Sequence, residues 1–306
     1  MKQDLRISFH DQISRNKRKS VFLIIIIFLV FLALGFVIGK IADPGYFFII
    51  MIAAIIISIL YVLISYYNSD KIALASVNAK PADRRLYPQY FHSAESMSLA
   101  SGLPVPRLYV MQNSEINAFA SGRNPEHAVM CFTTGALEKL NKSELEGVIG
   151  HEMSHIANYD IRFMTLVAVM VGMIAIISEI FLRSLWYGGM RSSGGKDDSK
   201  GNAILMLIGI LFAILAPIVV QLVQFAISRK REYTADASAV KFIRSPTGLK
   251  SALIKIKNEH IPQQEQKKIS KAIAPLFISN PFKNKMQNAF STHPSIESRI
   301  AILEKM

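Results

Sequence analysis

The sequence predicts a mainly α membrane protein, in which four transmembrane helices carry a cytoplasmic α+β domain with a small sheet. Three observations predict it. Long apolar runs recur along the 306 residues, basic residues gather at their ends, and a histidine–glutamate cluster precedes the third run.

The first two runs, Val21–Gly39 and Tyr46–Ile64, contain no charge, and each approaches the roughly 20 apolar residues that a span requires. The "KIADPG" between them is only long enough to reverse the chain, so residues 21–64 read as a hairpin. A cleaved signal peptide is disfavoured, because the first run exceeds the roughly 7–15 residues of an h-region and no small-residue cleavage site follows. The third run, Phe163–Leu182, is interrupted by Glu179. That residue lies one turn before Arg183 and can pair with it, while Trp186 and Tyr187 suit an interface. The fourth, Ala203–Ile227, is uncharged and contains Pro217. For this later pair, residues 163–227, a buried helical hairpin in a soluble domain stays open as the alternative. The Gly- and Ser-rich 183–202 segment reads as a flexible outer loop.

The formal charge is +13. "RNKRK" (Arg15–Lys19) precedes the first run and "RKR" (Arg229–Arg231) follows the fourth. Such excess marks cytoplasmic flanks, which places the 1–20 segment and both termini in the cytoplasm. No basic stripe interleaves with aromatics, so nucleic acid is excluded as a partner. Cys131 is the sole cysteine, and no intramolecular disulfide can form.

Two water-soluble pieces remain, 65–162 and 228–306, on the same side of the membrane. In the first, "LYPQYFHSAESMSLASG" has helical character and stops at Gly102. Val105–Met111 reads as a strand, and "INAFASG" and "HAVMCFTTGAL" read as two more, joined by "GRNPE". Ser143 followed by Glu146 is a capping box, predicting a helix from Glu144. The second piece is mostly helical, as "REYTADASAVKFI" and "LKSALIKIKNEH" suggest.

The predicted helix carries "HEMSH". Residues four apart share a helix face, so His151 and His155 can offer two imidazole nitrogens to one ion, while Glu152 points aside. H-E-x-x-H is a zinc pattern in which the glutamate serves as general base. Zinc with three protein ligands keeps a position for water and lowers its pKa to near 7. The metzincin extension calls for Gly and His where this chain has Asn158 and Ile161, so the third ligand must come from elsewhere. In "SRKREYTADA", Glu232 and Asp236 are again four apart. Glu232 could complete the site and Asp236 could accept a ligand's second ring N–H; a solvated charged face is the alternative. In "STHPSIESR", His293 is a candidate oxyanion donor supported by Arg299, against the rival of a surface histidine before proline. A closed structural zinc site would need a further Cys or His near the motif, and a metal transporter would need ionisable groups in several spans.

Together these three stretches resemble the HtpX family of membrane zinc metalloproteases, which is related to the CAAX prenyl protease and shares the gluzincin arrangement. The resemblance runs nearly the whole chain. It implies a zincin-like catalytic domain and one zinc ion on His151, His155 and Glu232. It implies Glu152 as base, Asp236 behind the ligands, and His293 as oxyanion donor in a pattern ending at Arg299. "NAFASG" is similar to the family's edge-strand motif, implying that Asn117, Ala118, Phe119 and Ala120 hold substrate. It also implies polypeptide substrates, damaged or unfolded membrane proteins among them, cut at the cytoplasmic surface of a bacterial inner membrane.

Overall fold

A computed structural model describes residues 9–41, 44–168, 229–259, 276–278 and 294–306. Helix α1 (Phe9–Ile41) begins well before the apolar run, so the basic stretch Arg15–Lys19 is itself helical. One 3-10 turn, Pro44–Tyr46, leads into α2 (Phe47–Tyr67). The two pack as a hairpin. Gly35 of α1 faces Ala54 of α2 so closely that any side chain at Gly35 would collide with it; small residues let apolar helices approach without a hydrophobic driving force. Helix α2 is 21 residues long, about 31 Å at 1.5 Å per residue, close to the ~30 Å hydrocarbon thickness of a bilayer. Among the described residues it is the one helix long and apolar enough to cross a membrane, and Phe48, Ile49, Ile52 and Ile57 on it are exposed. Of the later apolar runs, residues 163–168 are helical; the rest of that pair and the 183–202 loop lie outside the described residues.

After α3 (Ser69–Ser76) the chain builds a small sheet: β1 (Lys80–Pro81), β2 (Arg107–Met111), β3 (Ala118–Gly122) and β4 (Ala128–Thr133). The spatial order is β1-β2-β4-β3. Strands β2 and β4 are parallel, with Tyr109 opposite Cys131, while β3 and β4 are antiparallel, with Phe119 opposite Cys131. Strand β1 is an addition to the expected three. Strand β4 is buried throughout because both faces are covered: Met130 and Phe132 join the main core, Val129 and Cys131 a second cluster with Met164, Ala168 and Phe277. Alternation of side chains across a strand sends them to opposite faces.

Helix α4 (Pro88–Ser101) ends at Gly102, whose φ of 71° supplies the left-handed cap. A short α5 (Thr134–Lys139) then precedes α6 (Lys142–Ala157). Here the expected start is corrected. The capping box uses Asn141 and Glu144, not Ser143 and Glu146, so the helix begins two residues earlier. The reason is tertiary: the Glu144 carboxylate caps the Asn141 amide (2.8 Å) and also accepts from Lys255 Nζ (2.7 Å) and Ser251 Oγ (2.6 Å). The Thr247–Asn258 helix that provides those donors touches α6 backbone to backbone. A Cβ on Gly147 would lie 2.5 Å from the Leu249 nitrogen. The Arg229–Ile243 and Ile296–Leu303 helices complete the surroundings of α6.

Candidate metal centre

Helix α6 presents His151 and His155 one above the other, as their spacing requires, with Nε2 atoms 3.2 Å apart. The Arg229–Ile243 helix brings Glu232 to them from far along the chain: Oε2 is 3.5 Å from His151 Nε2, and Oε1 is 3.7 Å from His155 Nε2. One donor atom from each of these three buried residues lies within 4.8 Å of the other two.

The surroundings fix which nitrogen faces inward. His151 Nδ1 is 2.9 Å from Asp236 Oδ1, and His155 Nδ1 is 3.1 Å from Asp160 Oδ2. A carboxylate only accepts, so each Nδ1 carries a hydrogen and each Nε2 is the nitrogen left to present a lone pair to a cation. Two such lone pairs at 3.2 Å repel unless a proton or a metal cation lies between them. The separations also suit a metal, since ligands about 2.0–2.2 Å from a tetrahedral zinc lie roughly 3.3–3.6 Å apart. Charge agrees: the carboxylates of Glu152, Asp160, Glu232 and Asp236 are all buried, and among the described residues the guanidinium groups of Arg299 and Arg231 come within ion-pair distance of them. The surplus is negative and of a size that a divalent cation offsets. The residues fit a metal.

Asp236 is itself held. Arg299, 1% exposed, donates through Nε (2.9 Å) and Nη2 (2.6 Å) to its two oxygens, and through Nη1 to the Ile278 carbonyl (3.3 Å). Burial alone would raise the Asp236 carboxyl; the Arg299 charge and the hydrogen bond from His151 outweigh it and hold the pKa at about 2. Glu152 lies beside the ligands and outside their group. Burial pushes its pKa up, aided by Glu232, against the pull of both histidines and of the Ala120 backbone amide, which donates to it.

The sequence-derived residues thus divide. His151, His155, Glu152, Glu232, Asp236 and Arg299 come together. Arg299 is found on Asp236, and His293, its expected partner, lies outside the described residues. Asn117, Ala118, Phe119 and Ala120 lie at the sheet edge and are buried. That edge already has a backbone neighbour: Phe277 bridges Phe119 in antiparallel fashion, and Ile278 N–H donates to the Ala118 carbonyl at 3.0 Å. Asp160 was missed. The signal for it was an acidic residue five positions after His155, where a tight turn can fold it back onto the ring.

Comparison with known proteins adds a family. Residues 88–306 match the model of peptidase family M48. A protease HtpX homolog of Caldanaerobacter subterraneus subsp. tengcongensis is 45% identical over 294 residues, covering 96% of each chain. One from Thermoanaerobacter pseudethanolicus is 42% identical over 301 residues, covering 98% of this chain and 99% of the other. The crystal structure of S. mikatae Ste24p superposes with a TM-score of 0.47 at 21% identity, over 91% of this chain and 62% of that one.

Proposed function

This chain belongs to peptidase family M48 and is an HtpX-type metalloprotease, and from that premise we propose a membrane-embedded zinc endopeptidase with His151, His155 and Glu232 as its metal ligands. The observation that carries the reading is the convergence of those three side chains, with both Nε2 atoms turned inward. Zinc supplies the Lewis acidity that activates water and polarises the scissile carbonyl. Glu152 takes the proton of the attacking water and delivers one to the leaving amine; its buried setting raises its basicity toward that task. Asp236 and Asp160 hold the two imidazoles in their ligating tautomers, and Arg299 fixes Asp236. His293 donates to the oxyanion.

The substrate lies extended along β3, at Asn117–Ala120. Support comes from Phe277 and Ile278, which pair with that edge as a peptide would, a mode that asks little of side chains. The chain crosses a bacterial inner membrane four times, with 65–162 and 228–306 forming one cytoplasmic catalytic domain. Its role is removal of misfolded or damaged membrane proteins. The apolar, exposed α2 and the basic first part of α1 support the placement. The test is zinc content and chelator-sensitive cleavage of the detergent-purified protein. Glu152→Gln should keep zinc and lose cleavage; a Glu152→Gln form that still cleaves sinks the mechanism.

A further inference from the structure

A buried asparagine on the first helix reaches the metal site through one intermediary. Asn16 is 5% exposed, although it sits in the basic stretch before the apolar run. Its side-chain amide donates twice, to the Asn158 carbonyl at 2.9 Å and to Asp160 Oδ1 at 2.7 Å. The other Asp160 oxygen is the one that meets His155 Nδ1. Between these anchor points lies Tyr159, with φ of 59°. A non-glycine residue there costs on the order of 1–2 kcal/mol and persists only where its surroundings over-determine it. Asn16 supplies that constraint on both sides of the strained residue, and Lys17 lies 4.3 Å over the Tyr159 ring. Arg231 also approaches Asp160 Oδ1, at 3.6 Å, giving charge rather than direction.

We propose that Asn16 is a positioning residue of the metal centre: by clamping the Asn158–Asp160 turn it orients Asp160, and through it the His155 ring, so that the seating of α1 sets zinc affinity. The proposal rests on the zinc reading above. The mutual geometry is specific, since both amide hydrogens are consumed and the turn cannot rotate without losing one. Its consequence is that the helix leading into the first apolar run is part of the active-site apparatus.

The test measures zinc affinity of the detergent-purified full chain by competition with a chelator of known strength. Outer-shell partners of metal ligands cost about 10–100-fold in affinity when removed. Asp160→Asn should fall within that range, and Asn16→Ala near its low end, about ten-fold. In the Asp160→Asn background, Asn16→Ala should add nothing further, because contacting residues that act as one unit are not additive. Ser20→Ala is the structural control: Ser20 is buried one turn on and, among the described residues, bonds the Asn16 carbonyl alone, so it should leave zinc affinity unchanged. Wild-type affinity in Asn16→Ala overturns the proposal. So does an equal loss in Ser20→Ala, or a full second loss in the double variant. A wild-type chain that binds no zinc brings down the zinc reading itself, and this role with it.

Discussion

Helices α2 and α6 solve opposite problems. On α2 large apolar side chains face outward and the small residues Ala54 and Ser58 face the neighbouring helix. On α6 polar and ionisable side chains, Glu144, His151, Glu152 and His155, face inward. The first pattern suits an apolar solvent. The second is tolerable only where each buried polar group has a partner, and other stretches of the chain supply those partners to α6. The difference teaches where each helix gets its stability: α2 from what surrounds the protein, α6 from what the protein brings to it.

Four measurements break or sharpen this contrast. The largest effect belongs to Glu232→Ala, which removes the one proposed ligand that α6 does not carry; zinc binding and cleavage should both be lost, read by metal analysis and a peptide assay. Next, Arg299→Ala strands the Asp236 carboxylate in the interior. Breaking a buried pair from one side costs about 3–5 kcal/mol, to be read as a lowered unfolding midpoint. Third, Ile57→Asp on the exposed middle of α2 should be close to neutral if water surrounds that helix. If lipid does, an aspartate near a span's centre costs about 2.5–3.5 kcal/mol, and membrane-fraction yield should fall sharply. Last, Glu144→Gln keeps the cap and weakens the link to Lys255, for about 1 kcal/mol. Burial would raise the Glu144 carboxyl, but Lys255, Ser251 and the Asn141 amide hold it below 4.5. With the folded pKa depressed, its contribution is present above the unfolded value and lost as pH falls through the folded one. Wild type should therefore lose stability below about pH 4.5 more steeply than Glu144→Gln.

What was legible followed from local pattern. The uncharged 46–64 run announced α2, the four-residue spacing announced a shared histidine face, and turn residues bounded three of the four strands. Strand β1 was not legible, because Lys80 and Pro81 are exposed and carry no alternation. The start of α6 was ambiguous: Asn141…Glu144 and Ser143…Glu146 have the same spacing, and the distant Lys255 decides between them. Asp160 hid because its turn uses a tyrosine at positive φ, where glycine would have been the visible sign. Asn16 hid among lysines and arginines whose pattern reads as a membrane flank. For the start of α6 and for Asn16 the missing information lay in a residue more than 100 positions away, for Asp160 in backbone strain, and for β1 in its pairing with β2.

Strand β3 offers a final thought through its Ala120 amide, which reaches Glu152. On the proposed reading, the ledge on which a polypeptide would settle thus also braces the group that would shuttle protons. Seating and chemistry then share one stiff platform, and a poorly aligned guest would unsettle the shuttle before any covalent bond came under attack.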